Sequence, residues 1–208
     1  MEGIETDKVV VNDDVAVENS TYTSGRRGIV GTVFVHHLAG VLSARGLSLS
    51  KLKSKLDEVI SRIRSGGVSL SACTIPAVGK PGFLIGENEM EWFMGIHGEP
   101  GIERGAIVSS QEVANGILDR IHADLPFERG SRYAVIVNGC GGTPLMELYI
   151  LLNDVTRYME QKGAVLIKAV AGNYMTSLEM QGASISTFKV ANSFEEEVLR
   201  TRSCIFPE

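Results

Sequence analysis

The sequence predicts an α/β fold: a two-layer domain with a mixed sheet. Two observations carry this expectation. Short β-branched runs alternate with longer segments of helical period, as where RYAVIVN (132–138) is followed by LMELYILLNDVTRYMEQ (145–161). Beyond residue 30 no linker is composed to separate independent units, and 208 residues suffice to bury a substantial core.

The elements follow in order. Residues 9–11, VVV, read as a short buried strand running into the acidic loop NDDVAVENS. A strand of that kind needs neighbours on both sides, and nothing before it supplies one. Residues 1–24 therefore read as a remnant strand and linker from a missing first domain, and residues 25–208 as a second domain. The turn SGRRG (24–28) leads into a helix that ends near Arg45, stopped by Gly46. In the next helix Leu52, Leu56, Val59, Ile60 and Ile63 mark one face, with Ser50 as cap and Gly66-Gly67 as terminator. VSLSACTI (68–75) and MEWFMGI (90–96) read as strands around a Gly/Pro-rich loop. A helix begins near Ser109-Ser110. A central strand at 132–138 is followed by the turn GCGGT and a helix opened by Pro144 and closed before Gly163. AVLIKAVAG and ASISTFKV supply two more strands, and SFEEEVLRTR a closing helix.

Twenty Lys+Arg against 25 Asp+Glu give a formal charge of -5. No basic block supplies the face that nucleic acid or an anionic membrane requires. Three widely spaced cysteines, Cys73, Cys140 and Cys204, show neither metal-ligand spacing nor the even count of a disulfide framework. The N-terminus lacks the apolar core of a signal peptide, and no apolar run reaches the roughly 20 residues of a membrane span. These features predict a cytoplasmic protein.

Histidine is scarce, at four residues, yet two stand together in GIVGTVFVHHLAG (28–40). At about 100° per residue, His37 falls within the apolar stripe of Val30, Val33, Phe34, Leu38, Val41 and Leu42. It reads as a packed residue that leucine should replace without loss. His36 falls among Thr32, Gly40 and Ser43, small neighbours that let a ligand approach the imidazole. On geometry alone a reactive His36 and a surface His36 stay evenly matched. In GIHGEPG (95–101), His97 and Glu99 suit either an acid/base couple or a structural turn, and the turn is the commoner meaning. His122, late in a polar helix, reads as surface. GCGGTP lacks the GK[ST] of a phosphate loop and the spacing of a dinucleotide fingerprint, so a tight strand-to-helix connection is its stronger reading.

The blocks RRGIVGTVFVHHLAG, CTIPAVGKPGF, EMEWFMGIHGEPGI, VNGCGGTPLMELY and TSLEMQGASISTFKV, in this order, resemble the C-terminal half of the dihydroxyacetone kinase substrate-binding subunit family. The resemblance implies the second domain of the dihydroxyacetone kinase/DegV-like two-domain fold. It implies that the GTV-x-x-H motif, here Gly31 to His36, gives His36 the role of holding the carbonyl of dihydroxyacetone, or a related small ketose, as a covalent hemiaminal. Lysine is usual in the family where His37 stands. The nucleotide, as Mg-ATP or Mg-ADP, is expected on a partner nucleotide-binding kinase subunit or domain, with no cofactor or metal site in this chain. A homodimer is also expected. The family's GHEP-type loop and acid/base Asp have no match here, which implies a chain incomplete and inactive alone. GIHGEPG aligns with a different block, so the pocket role does not pass to His97. The C-terminal ending departs from the family's, which leaves the substrate's identity more open. Some members of the family bind dihydroxyacetone as transcriptional co-activators, so a non-catalytic sensor module is the alternative.

Overall fold

Alternation along one strand sets the layering. Between residues 132 and 139, Tyr133, Val135 and Val137 face one way and Ala134 and Ile136 the other, and all five are buried. A strand apolar on both faces must be covered on both, and helices do so here. The computed structural model describes residues 3–16, 25–95, 99 and 101–206. Its elements are α1 (Gly31–Ala44), α2 (Leu49–Ile60), β1 (Ile63–Ser69), β2 (Glu89–Trp92), β3 (Glu103–Ala106), α3 (Ser110–Asp124), β4 (Arg132–Gly139), α4 (Leu145–Gln161), β5 (Val165–Gly172), β6 (Gly182–Val190) and α5 (Ser193–Arg200).

The sheet has the order β3-β2-β1-β6-β4-β5. Only β4 and β5 run parallel, so the sheet is mixed, as the sequence predicts. Helices α3 and α4 pack Ile117, Leu118, Leu148 and Val155 onto Tyr133, Val135, Val137 and Ile185. On the opposite face α1, α2 and α5 pack Phe34, Leu38, Val59 and Leu199 onto Ala134, Ile136 and Phe188. The α/β class holds, but the domain has three layers instead of the two expected. Among the described residues no helix is long and apolar enough to cross a membrane.

Other expectations are corrected. Residues 9–11 form no strand; Val9 and Val11 lie against the second core. Just after it, Asp14 bridges Ser65 of β1, at the end of that strand that β2, paired with Val68 and Ser69, leaves uncovered. The boundary placed after residue 24 adjoins residues 17–24, which lie outside the described residues. Helix α2 ends at Ile60, with Ser48 at its N-cap in place of Ser50, and Ile63 already belongs to β1. Gly66 and Gly67 lie within that strand instead of ending a helix. A Cβ on Gly66 would come within 2.5 Å of the Phe93 ring, and one on Gly67 within 2.9 Å of the Ala183 carbonyl. β1 stops at Ser69, and the hairpin strand β3, ERGA, carried no apolar pattern to announce it. Helix α3 begins where expected, with Ser109 capping it in a reciprocal capping box with Glu112.

Candidate functional site

Helix α1 begins without a cap of its own, since Val30 occupies the N-cap. A distant acid supplies the missing acceptors. Asp13 accepts the amides of Ile29 and Gly31, each at 2.7 Å, from a fully buried position. Burial pushes its carboxyl up from the ordinary value, against Ser65 and these amides, which draw it down. A Cβ on Gly31 would sit 2.5 Å from Asp13 Oδ2 and 2.6 Å from Ile63 Cγ2, so the first glycine of GTV-x-x-H is a packing requirement. Asp14 forms a buried ion pair with Arg27 at 2.7 Å, and Arg27 also donates to the Phe93 carbonyl at 2.8 Å. Two neighbouring acids thus fix the start of the histidine helix.

The helix then separates its two histidines. His37 is buried, its ring 4.7 Å from that of Phe206 and both its nitrogens hydrogen-bonded. His36 is exposed. It opens into a cleft of about 620 Å³ lined by Thr32, Asn173, Tyr174, Met175 and Cys204. A smaller cavity of about 350 Å³ continues past His36 toward Gly40 and Arg45. The small-residue face inferred for His36 is therefore the open face, and Thr32 and Gly40 are indeed its neighbours.

The far wall of the cleft is the turn after β5, held from beneath by a residue the sequence reading passed over. Asn138, fully buried near the end of β4, accepts the amides of Tyr174 and Met175 through Oδ1, both at 2.8 Å. Its Nδ2 donates to the Met175 carbonyl at 2.8 Å. A polar residue closing an otherwise apolar strand is the one signal that would have flagged it.

Of the remaining candidates, His122 and the GCGGTP turn serve the fold. His97 lies outside the described residues, so its pairing with Glu99 is not part of the described structure. Glu99 turns its carboxylate back over Gly95, beside Arg27. His122 is half-buried, not surface, and accepts the Phe127 amide at 2.9 Å. In GCGGTP the amides of Cys140 and Gly142 donate to the carbonyls of Gly182 and Met180, at 3.1 and 2.9 Å. Those donors are spent on the fold, as a tight connection requires.

The result is a three-layer α/β domain with one sequestered and one exposed histidine on a single helix, the exposed one lining an open cleft. The chain belongs to the Dak1 domain family, whose profile matches residues 1–204. It is 43% identical over 190 residues to the PTS-dependent dihydroxyacetone kinase, dihydroxyacetone-binding subunit DhaK, of Lactococcus lactis, covering 91% of this chain and 57% of that protein. It is 37% identical to the PEP-dependent counterpart of Escherichia coli, covering 90% and 60%. The chain thus spans less than two thirds of the length of these relatives. Among solved structures, the dihydroxyacetone kinase operon co-activator Dha-DhaQ superposes with a TM-score of 0.88 at 29% identity, covering 99% of this chain and 63% of the other. The dihydroxyacetone kinase of C. freundii superposes with a TM-score of 0.80 at 30% identity, covering 93% and 34%.

Proposed function

We propose that this chain is the dihydroxyacetone-binding part of a dihydroxyacetone kinase, in which His36 captures the substrate carbonyl for phosphoryl transfer from a partner. The observation that carries this reading is the division of labour on α1: His37 is locked by two hydrogen bonds, while His36 faces the cleft. A neutral imidazole nitrogen adds to a ketone, and such capture selects carbonyl compounds over simple polyols. Mg-ATP or Mg-ADP belongs to a nucleotide-binding partner subunit or domain, as the family resemblance implies; in the glycine-rich turn here the amides of Cys140 and Gly142 are engaged within the fold. The assembly is a homodimer, and the 208-residue chain alone transfers no phosphate.

The test is intact mass after exposure of the protein at its natural length to dihydroxyacetone. An adduct should form, vanish in His36→Ala and persist in His37→Ala. An adduct that survives loss of His36 would end the assignment. The likeness to a co-activator structure favours a second reading, a dihydroxyacetone sensor. Capture without phosphoryl transfer, even with the nucleotide-binding partner and Mg-ATP present, would establish the sensor.

A further inference from the structure

We infer that Cys73, Cys140, Met94 and Met180 form a sulfur-only site for a soft monovalent cation of the copper(I) class. The inference is independent of the function proposed above.

Among the described residues no group of three His, Cys, Asp or Glu side chains gathers where it could hold an ion. Sulfur does gather. A third core cluster, separate from the two that flank the sheet, contains Met94, Cys140 and Met180, all buried, with Cys73 and Phe83 packed against it. Apart from the Phe83 ring, every side chain in that cluster carries sulfur, in a chain with only three cysteines and seven methionines. Such a concentration sets this cluster apart from the aliphatic and aromatic cores.

The four residues come from distant stretches of chain, and the backbone explains why they meet. Cys140 directly follows β4, whose last residue, Gly139, pairs with Ala183 of β6, and Met180 lies just ahead of β6. The start of β6 also pairs with the end of β1, Gly182 with Ser69, which delivers the loop that carries Cys73. Met94 arrives from β2 through Phe93, whose left-handed backbone (φ 60°) turns the chain and whose amide donates to the Gly67 carbonyl at 2.7 Å. Ser177, itself buried, joins three of the four. Its amide donates to the Cys140 carbonyl at 2.8 Å, and its carbonyl accepts the Met180 amide at 3.0 Å. Its hydroxyl donates to Cys73 Sγ at 3.5 Å. That last contact turns the sulfur of the half-buried Cys73 inward, onto the serine that holds its neighbours.

The donor set selects the ion. Thiolate and thioether ligands suit copper(I), whereas magnesium, calcium and manganese require oxygen. Zinc takes thiolates with imidazole, carboxylate or further thiolates, and two thioethers are no substitute for these. Each thiol gives its proton to water as its sulfur–metal bond forms, and no electron is transferred, so capture strengthens as pH rises. Cys140 depends on the ion for this step, because burial pushes its thiol up to about 11.

The experiment uses silver(I), which shares the preference of copper(I) for sulfur without its redox chemistry, on the protein at its natural length with Cys204→Ser to remove the exposed thiol. Native mass spectrometry in the presence of a competing chelator should count one more silver ion in this protein than in the same protein carrying Cys73→Ala. Cys140→Ala should lose that same ion. Met94→Leu and Met180→Leu keep the packing volume and should each weaken retention roughly tenfold. Silver should raise the melting temperature of the parent and leave that of the Cys73→Ala variant unchanged, as binding to the folded state alone requires. Zinc at the same concentration should not be retained. Undiminished silver in the Cys73→Ala variant would overturn the site, and this half-buried position decides the matter even where Cys140→Ala fails to fold. Loss confined to one cysteine in folded variants would overturn a shared site, as would unchanged affinity in both methionine variants. Equal retention of zinc would overturn the sulfur selectivity on which the inference stands.

Discussion

The Nε2 atom of His37 lies 2.9 Å from the Val198 carbonyl oxygen, and its Nδ1 lies 2.9 Å from Ser203 Oγ. A carbonyl only accepts, so Nε2 carries the proton and Nδ1 accepts from the serine hydroxyl. A neutral imidazole thereby ties α1 to the segment after α5, and Ser203 Oγ passes the connection on by accepting the amides of Ile205 and Phe206. Leucine at position 37, which the apolar stripe alone would welcome, leaves a buried carbonyl and hydroxyl without partners. His37→Leu should cost about 1–3 kcal/mol, and His37→Asp several kcal/mol, in urea unfolding. Burial lowers the His37 pKa below its ordinary 6.5, opposed by the Val198 carbonyl. This contribution to stability is present above 6.5 and lost as pH falls through the lowered folded value, so His37→Leu should flatten that limb of the profile. Wild-type stability in His37→Leu would show the hydrogen bonds to be idle.

Glu195 sets a second, more acidic limit. Its carboxylate is 1% exposed and meets Arg62 through two bonds of 2.8 and 2.7 Å, Lys55 at 2.8 Å and the Ala191 amide at 2.9 Å. Burial would raise this carboxyl, but the two cations and the amide hold it down at about 2, against an ordinary 4.5. The stabilisation is complete above 4.5 and disappears as pH falls through about 2. By linkage it amounts to about 3 kcal/mol. Glu195→Gln should show this deficit in urea unfolding at neutral pH, and the gap to wild type should close on acidification. A deficit independent of pH would mean that shape, not charge, is at stake.

The cap on α1 comes from outside the helix, so its removal should be felt at the histidine. Asp13→Ala strands two buried amides and should cost about 2 kcal/mol or more. Hydrogen exchange at Ile29 and Gly31 should quicken. Gly31→Ala, forced against Asp13 and Ile63, should cost about 1–3 kcal/mol by overpacking. Unchanged exchange at both amides in Asp13→Ala would refute the long-range cap.

Cysteine reactivity offers a footprint of the cleft. Cys204 is exposed and lines the cleft with His36, whereas Cys140 is buried and its thiol is pushed up to about 11. Iodoacetamide should therefore label Cys204 first and Cys140 only on unfolding. Dihydroxyacetone should slow labelling of Cys204 in the wild-type protein at its natural length and leave the rate unchanged in His36→Ala. Equal protection in both would place the ligand elsewhere.

What the sequence disclosed follows from the range of each interaction. Period along one element was legible, so the helices from α3 onward and the strands β4, β5 and β6 fell where expected, and the wheel separated His36 from His37. Interactions between distant segments were not. The capping of Gly31 by Asp13 spans 18 residues, and NDD therefore read as a bare acidic loop. Asn138 reaches 36 and 37 residues on to Tyr174 and Met175, and nothing local marks those partners. Gly66 and Gly67 looked like a stop signal because Phe93 and Ala183, whose packing demands them, lie far along the chain or on another strand. The family resemblance pointed to His36 and said nothing of the turn that walls its cleft.

Among the described residues strand β5 stands last in the sheet, hydrogen-bonded to β4 alone. Its outer row of peptide groups is a template on which another extended chain can add itself, and VLIKAVAG, apolar and β-branched but for one lysine, has the composition that favours such addition. Lys168 is the single charge in that run, and its ammonium is held 4.8 Å over the Phe206 ring. Stacking copies edge to edge would bring identical ammonium groups into register, one strand spacing apart. A charge on an edge strand is the feature that discourages such growth, so a neutral residue in place of Lys168 should make the edge more prone to aggregation.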